Sequence, residues 1–495
     1  MLQQTDIDPL RRVPIPAGKL LIGGIARAAR SGAEVSVVSP IDGSELTTIA
    51  SADHTDVDDA VRAARKSYES GSWSNASPAE RKKVLLRIAE LIEEHALELA
   101  VLGVRDNGTE IRMAMRGEPG SAAATFRFYA EAADKVLGEV ANTAPDYLGM
   151  MQREPVGVVA AIVPWNFPLM IGAWKLAPAL AVGNSVIIKP AESASLSLLR
   201  LGEFALEAGL PEGVLNVITG RGSVTGEALA LHMDVDVIAF TGSGTTGRRL
   251  LEYSARSNIK RVFLELGGKS PNIVFDDVPD VAVAVAGSVN GMFRNSGQVC
   301  VAGSRLLLQR SIAERFTDAL LTAVNALKVG DPLDLDSDIG AICNEEQLRK
   351  DLEFIDAARN EGATLAAGGE RILEDSGGYY LRPTVFTGVD PQMTIAQEEV
   401  FGPVLSVIEF EDAEDAARIA NSTPYGLAAG VWTSNLTTAH RMVRAIRSGV
   451  VHVNCYGGAS IALPMGGMKQ SGNGYDRSLH ALDKFTNLKT AWISL

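Results

Sequence analysis

The sequence predicts an α/β protein with two doubly wound parallel sheets, because strand and helix signals alternate in two successive series. The first series begins at residue 157 and the second begins near residue 272. Most strand signals are continuous apolar runs, as expected when helices cover both faces of a parallel sheet. With 495 residues, the chain is long enough for two large domains or three smaller ones.

Short apolar runs punctuated by glycines mark the predicted strands. They are Val158–Val163, Ser185–Ile188, Val214–Ile218, Val237–Phe240 and Arg261–Leu266, then Asn272–Phe275, Arg305–Leu308, Val404–Phe410, Ala428–Thr433 and Val450–Val453. Helical stretches such as Ile312–Leu327 and Ala413–Asn421 separate strands of the second series. The first stretch of the chain is predicted to be mostly helical. Within it, Ser77-Pro78-Ala79-Glu80 has the pattern of a capping box with proline at the first helical position.

Composition and charge narrow the possible partners. Hydrophobic residues make up 46% and charged residues 21%, and the formal net charge is -14 without any block of lysine or arginine. Nucleic acid and anionic membranes both need a basic surface, so neither is expected as a partner. Cys300, Cys343 and Cys455 give no disulfide framework, which fits a reducing compartment. Without a signal peptide or a long apolar run, we expect a soluble cytoplasmic protein.

A glycine-rich turn follows the predicted strand Val237–Phe240. Gly242, Gly244 and Gly247 spell G-x-G-x-x-G, before a helix predicted to start at Arg248. In a strand–turn–helix context this pattern favours a dinucleotide site over a merely tight turn. The same fingerprint expects an acidic residue about 20 positions further on, and on that basis alone Glu265 would be a ribose ligand.

Four side chains are candidates for chemistry. Cys300 lies between two glycines, where a thiolate could attack a carbonyl, whereas we interpret Cys343 and Cys455 as small buried residues. Each candidate also has a structural interpretation: Cys300 can be a small buried apolar residue, Asn166 can cap a helix, and Glu265 and Glu399 can be solvated carboxylates. As functional groups, Asn166 could donate to an oxyanion and the two glutamates could be bases. No metal-ligand spacing is present, and the six histidines are scattered.

Seven motifs together resemble the aldehyde dehydrogenase superfamily over nearly the whole chain. They occur in the family's order: P-W-N-F-P, K-P-A-E, F-T-G-S, L-E-L-G-G-K-S-P, G-Q-x-C, E-E-x-F-G-P-V and P-x-G-G-x-K-x-S-G. The resemblance implies that Cys300 is the nucleophile and that the Asn166 amide and the Cys300 N–H form the oxyanion hole. It further implies that Glu265 activates water to hydrolyse a thioester and that Lys175 assists proton relay.

The resemblance also implies a cofactor site, and it favours Glu265 as a base over Glu265 as a ribose ligand. Lys189 and Glu192 would hold the adenine ribose, which leaves Glu265 free to be the base. Because the Glu192 carboxylate would repel a 2′-phosphate, NAD is favoured over NADP. The remaining implied cofactor contacts are Trp165, Gly242, Ser243, Gln347, Lys350, Glu399 and Phe401.

The family architecture divides the chain into three parts. Residues 1–136 and 157–267 would form the NAD-binding domain, and residues 268–465 the catalytic domain. The segments 137–156 and 474–495, which fit neither strand series, would form a bridging arm that pairs subunits into dimers or tetramers.

The substrate is predicted from one loop and one helix. The tail from Lys469 resembles the bacterial ω-aminoaldehyde branch, which includes γ-glutamyl-γ-aminobutyraldehyde dehydrogenase. The loop Gly457–Met465 lacks the aspartate of that branch, and Gly117, Gly120 and Ser121 suggest a roomy apolar tunnel. We therefore expect a bulky or apolar aldehyde, with an ω-aminoaldehyde as the alternative. A CoA-acylating enzyme typically lacks a base at the Glu265 position, and a non-catalytic relative would lose Cys300.

Overall fold

The computed structural model describes residues 2–458 and 460–495 and contains two large sheets. The first sheet has eight strands, and its five central strands are parallel. In spatial order its strands are Ile25–Arg27, Leu20–Ile22, Leu215–Val217, Ser185–Lys189, Val158–Ile162, Val237–Thr241, Arg261–Glu265 and Gly472–Asn473.

The second sheet has seven strands. Neighbouring strands are parallel, except for the antiparallel pair Thr364–Ala367 and Thr384–Thr387 at one edge. In spatial order they are Thr364–Ala367, Thr384–Thr387, Val404–Phe410, Arg305–Gln309, Pro271–Val274, Ala428–Trp432 and Val450–Val453. The main helices around the two sheets are His54–Ser70, Pro78–Glu94, Ala96–Asn107, Ser121–Ala132, Pro168–Ala181, Leu196–Glu207, Gly244–Ala255, Val281–Phe293, Arg310–Asn325, Glu345–Asn360, Ala413–Ala420 and Leu436–Ala445.

Every predicted apolar run is a strand, with bounds that differ by at most one or two residues. The predicted capping box is also confirmed. The Ser77 hydroxyl accepts from the Glu80 N–H at 3.3 Å, and the Glu80 carboxylate accepts from the Ser77 N–H at 2.8 Å. The helix Pro78–Glu94 therefore begins where the sequence places it.

Three local predictions are wrong. Cys455, interpreted from the sequence as a small buried residue, is exposed, because it follows the edge strand Val450–Val453. The first 50 residues hold only the short helix Gln4–Arg11, followed by antiparallel pairs of strands that include Glu34–Val38 and Glu45–Ala50. This region is rich in β-branched residues, which favour strands, and helices dominate only from His54. The helix after the glycine-rich turn starts at Gly244 rather than Arg248, because Ser243 accepts from the Thr246 N–H and caps the helix there.

The two segments that fit neither strand series pair with each other. Glu139–Ala141, Tyr147–Pro155 and Thr486–Ser494 form a three-stranded antiparallel sheet. Its surface carries exposed apolar side chains, among them Val140 and Trp492. No helix within the described residues is both long and apolar enough to cross a membrane.

The strand order of the first sheet positions a crevice. Val158–Ile162 and Val237–Thr241 are neighbours, and the chain builds outward from them in opposite directions. At such a switch point the loops after the two strands separate, and ligands bind in the gap at the carboxyl ends of the strands. Here those loops are Pro164–Phe167 and Gly242–Ser243.

Candidate active site

Cys300 follows a tight loop in a strained backbone conformation. Asn295, Ser296 and Gly297 have φ values of 50°, 53° and 72°, and the first two are not glycines. Buried hydrogen bonds hold Asn295: its N–H donates to Glu110 at 3.0 Å, and its side-chain oxygen accepts from Thr109 at 2.7 Å. The loop is therefore held from outside, and it presents Cys300 half-buried at its end.

Gln298 of the G-Q-x-C motif locks this loop from within. Its buried side chain donates to the Asn295 carbonyl at 3.1 Å and accepts from the Cys343 N–H at 2.8 Å. Its backbone carbonyl accepts from the Asn166 side chain at 2.9 Å. These contacts join the Cys300 loop to the loop that follows Val158–Ile162, and they place the Asn166 amide beside Cys300.

Glu265 ends a central strand of the first sheet and points into the same space. It pairs in parallel with Thr241, and it is only 5% exposed. Its Oε1 is buried without a hydrogen-bond partner, which is costly unless something else occupies that space. Burial raises the Glu265 pKa to about 7, with Lys175 acting in the opposite direction. Burial and the Glu265 charge in turn raise the pKa of the Cys300 thiol.

A cavity of about 310 Å³ connects Cys300 with the glycine-rich turn. Ten of the thirteen predicted site residues line it: Asn166, Glu265, Cys300, Trp165, Gly242, Ser243, Gln347, Lys350, Glu399 and Phe401. Gly242 is required at the turn, because a Cβ there would lie 2.5 Å from the Phe240 ring. Gly247 allows the helix to pack closely, since a Cβ there would lie 2.9 Å from Leu266.

The far wall of the cavity comes from the segment before the strand Val404–Phe410 and from the helix Glu345–Asn360. Glu399 accepts from the Gly268 N–H at 2.8 Å, and burial raises its pKa to about 7. Phe401, with φ 64°, meets the Trp165 ring edge-on at 5.2 Å. Gln347 donates to the Val400 carbonyl at 2.9 Å and so fixes the segment between Glu399 and Phe401. Lys350 is paired with Glu346 at the cavity rim at 2.7 Å.

Three predicted site residues lie outside this cavity. Lys189 ends the strand beside Val158–Ile162, donates to the Pro190 carbonyl at 2.9 Å and lies 3.7 Å from the half-exposed Glu192 carboxylate. Lys175 is buried behind Glu265, where it pairs with Asp476 at 2.6 Å.

Sequence reasoning missed four charged side chains around the site. Asp476 and Lys484 lie behind Glu265. Arg294 and Arg477 both have a buried Nε without a hydrogen-bond partner. The arginine six residues before Cys300 was visible in the sequence, but nothing in its spacing showed that it lacks a carboxylate partner.

The predicted substrate loop is partly described, and Ala459 lies outside the described residues. Arg477 donates to the Ser460 carbonyl at 3.0 Å, and its guanidinium carbon lies 5.5 Å from the centre of the Trp174 ring. A side chain at Gly457 would collide with the Arg294 guanidinium. Burial lowers the pKa of Arg294, and the nearby Tyr456 and Cys300 act against that. Both arginines therefore lie beside this loop.

The helix expected to line the tunnel has an irregular turn. Residues 116–120 form one π-turn, and the buried Glu118 within it accepts from the Met170 N–H at 2.7 Å. Glu118 thereby caps the helix Pro168–Ala181, which carries Lys175. A Cβ at Gly117 would lie 3.0 Å from Met113 and 3.8 Å from Phe167, so the space beside this glycine is apolar.

Comparison with known proteins identifies the chain's relatives. The model of the aldehyde dehydrogenase family matches residues 27–491. The chain belongs to the aldehyde dehydrogenase family. It is 49% identical to the NADP/NAD-dependent aldehyde dehydrogenase PuuC of Escherichia coli over 96% of each chain. As a member of this family, the chain is an enzyme that oxidises aldehydes with NAD.

Solved structures of aldehyde dehydrogenases superpose closely on the chain. The indole-3-acetaldehyde dehydrogenase AldA of P. syringae, solved as a mutant with NAD+ and IAA, is 49% identical with a TM-score of 0.98. The γ-glutamyl-γ-aminobutyraldehyde dehydrogenase of Burkholderia cenocepacia is 48% identical with the same TM-score. Each superposition covers 100% of this chain and 100% of the related chain. These relatives also support the resemblance to the ω-aminoaldehyde branch.

The residues around the crevice fit a dinucleotide. The N-terminus of the helix Gly244–Ala255 opens onto the cavity, and its N–H groups and dipole favour a pyrophosphate. The cavity leads from there to Cys300, and Glu265, whose Oε1 has no hydrogen-bond partner, is part of its lining. Among the described residues, no group of three or more His, Cys, Asp or Glu side chains is arranged to hold a metal ion.

Gln298→Leu tests how the cysteine loop is held. The change removes the partners of the Cys343 N–H and the Asn295 carbonyl, so the apparent free energy of unfolding should fall by about 2–3 kcal/mol. NADH formation in the first turnover should slow, because Cys300 is less well aimed. Urea unfolding and stopped-flow absorbance measure the two effects. Gln392→Leu, at an exposed position, is the matched control, and equal stability of the two variants would contradict this account.

Proposed function

We propose that this aldehyde dehydrogenase is hydrolytic, with Cys300 as nucleophile and Glu265 as the base that releases the product. The observation that carries the proposal is the arrangement around one cavity. The thiol, the Asn166 amide and a buried carboxylate with an unpartnered oxygen all border it. A CoA-acylating enzyme would have no need for a carboxylate beside the thioester.

The proposed reaction has two stages. The Cys300 thiol loses its proton to solvent and the thiolate adds to the aldehyde carbon. The oxygen of the resulting thiohemiacetal accepts hydrogen bonds from the Asn166 amide and the Cys300 N–H. NAD+, when bound, supplies the hydride acceptor, and loss of hydride leaves a thioester on Cys300. Glu265 then takes a proton from water as the water attacks the thioester. The carboxylic acid leaves, and Glu265 passes the proton it took from water to the Cys300 thiolate.

The pKa of Glu265 sets the pH dependence of the second stage. A base acts in its ionised form, and burial raises the pKa of this carboxyl to about 7. The ionised fraction, and with it the deacylation rate, should therefore rise as the pH increases through about 7.

Glu265→Gln tests the base directly. The variant should release a rapid burst of NADH in the first turnover and then stall, because general-base assistance is worth about 100- to 10,000-fold in rate. Stopped-flow absorbance follows the burst, and mass spectrometry should find an acyl adduct on Cys300. Cys300→Ser is the control and should give neither burst nor adduct. If Glu265 were instead the ribose ligand of the fingerprint, Glu265→Gln would weaken NAD binding and leave deacylation unaltered.

Lys189 and Glu192 are proposed to hold the adenine ribose of NAD. They lie at the carboxyl ends of the strands of the first sheet, where the glycine-rich turn also lies. The Lys189 ammonium lies 3.7 Å from the Glu192 carboxylate. Trp165, Gly242, Ser243, Gln347, Lys350, Glu399 and Phe401 are proposed as the other cofactor contacts. A carboxylate at Glu192 accepts hydrogen bonds from ribose hydroxyls and repels a 2′-phosphate, which supports NAD as the preferred cofactor.

Glu192→Gln tests this preference. Wild type should show a higher kcat/KM with NAD than with NADP, and the variant should narrow the ratio several-fold because the repulsive charge is gone. Initial rates with each cofactor provide the measurement. Glu252→Gln, on the exposed side of the helix Gly244–Ala255, is the control and should leave the ratio as in wild type. Equal use of both cofactors by wild type would refute the assignment.

The preferred substrate is proposed to be a bulky or apolar aldehyde that carries no positive charge. The loop Gly457–Met465 contains no carboxylate, and Arg294 and Arg477 lie beside it. A cationic amine would meet two guanidinium groups, and like charges in contact oppose binding. The names of the relatives include aminoaldehydes, so an ω-aminoaldehyde remains the alternative.

Two aldehydes that differ only in an amine separate these alternatives. Butyraldehyde should be oxidised with a kcat/KM about ten-fold or more above that of 4-aminobutyraldehyde, because of like-charge repulsion. Arg477→Gln should raise kcat/KM for 4-aminobutyraldehyde and leave kcat/KM for butyraldehyde little changed. Arg441→Gln, at an exposed position, is the control for charge removal in general. A wild-type preference for the amine would favour the ω-aminoaldehyde alternative.

The three-part division, the assembly and the location are proposed as well. Residues 1–136 and 157–267 are proposed to bind NAD, and residues 268–465 to carry catalysis. The arm of 137–156 and 474–495 is proposed to pair subunits into dimers or tetramers, since its sheet is exposed and bears apolar side chains. The protein is proposed to be cytoplasmic. The three cysteines are free, which fits a reducing, cytoplasmic compartment.

A further inference from the structure

A buried cluster of charges lies behind Glu265, on the side away from the cofactor turn. Lys175 pairs with one oxygen of Asp476 at 2.6 Å, and Lys484 pairs with the other. The side chains of Lys175, Asp476 and Lys484 are 2%, 2% and 5% exposed. One carboxylate is thus held between two ammonium groups in the protein interior.

Backbone pairing fixes this cluster against Glu265. The short strand Gly472–Asn473 pairs antiparallel with the end of the Glu265 strand, and Asp476 exchanges two backbone hydrogen bonds with Met465 at 2.8 and 2.7 Å. A small void is bordered by Glu265 and all three members of the cluster. The charges therefore act on Glu265 through the protein interior and not through solvent, where they would be screened.

The cluster carries a net positive charge only because of Lys484. Lys175 and Asp476 alone would sum to zero, so they would give Glu265 little net electrostatic support. Burial would raise the Asp476 pKa, but the two lysines lower it to about 2. Burial lowers the Lys484 pKa to about 8, and the Asp476 charge opposes that shift. The direct contact with the Asp476 carboxylate favours the charged form of Lys484.

Other charged and titratable groups face the cluster or Glu265, and Arg477 is the cation among them. The Tyr129 hydroxyl donates to the Ser478 carbonyl at 2.8 Å, and burial raises its pKa. Arg477 acts on Asp476 from the substrate-loop side, while Glu399 and Cys300 face Glu265 from the cofactor cavity. The Glu399 charge disfavours ionisation of Glu265, which increases the need for a compensating cation.

We propose that Lys484 is a positioning residue of the reaction, which supplies the net positive charge behind Glu265 and so keeps this base ionised at neutral pH. The proposal rests on the proposed role of Glu265. A buried ion pair is weak evidence for stability, because apolar side chains of the same volume often serve as well. A purely structural role would not need a second lysine on an aspartate that Lys175 already neutralises.

Deacylation measured against pH tests the proposal. The acyl-enzyme is formed with excess aldehyde and NAD and then diluted, and quenched-flow mass spectrometry follows loss of the adduct from Cys300. In Lys484→Met and Lys484→Gln the midpoint of the rising limb should move up by about one pH unit, with the plateau rate retained at high pH. Lys484→Gln can still donate to Asp476, so it separates loss of charge from loss of the contact. Lys484→Arg retains the charge and should keep the wild-type midpoint.

The outcomes distinguish a failure of the Lys484 proposal from a failure of the proposed function. A raised midpoint in the neutral variants, absent in Lys484→Arg, supports the proposal. An unshifted midpoint, or a rate lowered equally at every pH, overturns it and leaves Lys484 a structural residue. Failure of the wild type to form an acyl adduct would instead refute the proposed function. If Lys484→Met does not fold, Lys484→Gln gives the same test.

Discussion

The parallel register of the first sheet brings the site together. Thr241 and Glu265 are paired neighbours at the carboxyl ends of two adjacent strands. This pairing puts the cofactor turn and the Glu265 carboxyl at the same edge, next to the loop that bears Asn166. The Gln298 contacts then join the Cys300 loop of the second series to this edge. Each reactive group therefore depends on hydrogen bonds made elsewhere along its strand or loop.

Burial determines the chemistry of the groups that meet there. Burial raises the pKa values of Glu265 and Glu399 to about 7 and raises that of Cys300 well above its usual range. A carboxylate near neutrality is suited to accept and return a proton, which a solvated glutamate is not. The same burial makes every uncompensated charge costly, so the lysines behind Glu265 matter as much as the residues in front of it.

The glycine-rich turn shows that a sequence motif can leave two roles open for one residue. The fingerprint expects a ribose carboxylate near Glu265, and the spacing agrees. In the structure the Glu265 carboxyl faces Cys300, while Glu192 follows a different strand of the same sheet edge. A motif defines local backbone geometry, whereas the strand order decides which carboxylates lie at the same end of the sheet.

The sequence by itself determined the apolar strands and the capped helix at Pro78, and it indicated the candidate reactive side chains. Continuous apolar runs and capping boxes are local patterns with a local physical cause, so they could be predicted from neighbouring residues alone. Local reasoning was wrong where a cap competed with the glycine pattern, at Gly244, and where β-branched residues near the N-terminus form hairpins.

Only the tertiary structure decided which charges meet. Asp476 and Lys484 lie in the C-terminal tail, more than 200 residues from Glu265, and no spacing connects them to it. Arg294 and Arg477 likewise lie beside the proposed substrate loop with a buried Nε that has no hydrogen-bond partner, and no sequence pattern indicates this. Desolvation and net charge belong to a volume of the folded protein rather than to a stretch of chain. For that reason the candidate nucleophile and base could be read from the sequence, but the electrostatic environment that tunes them could not.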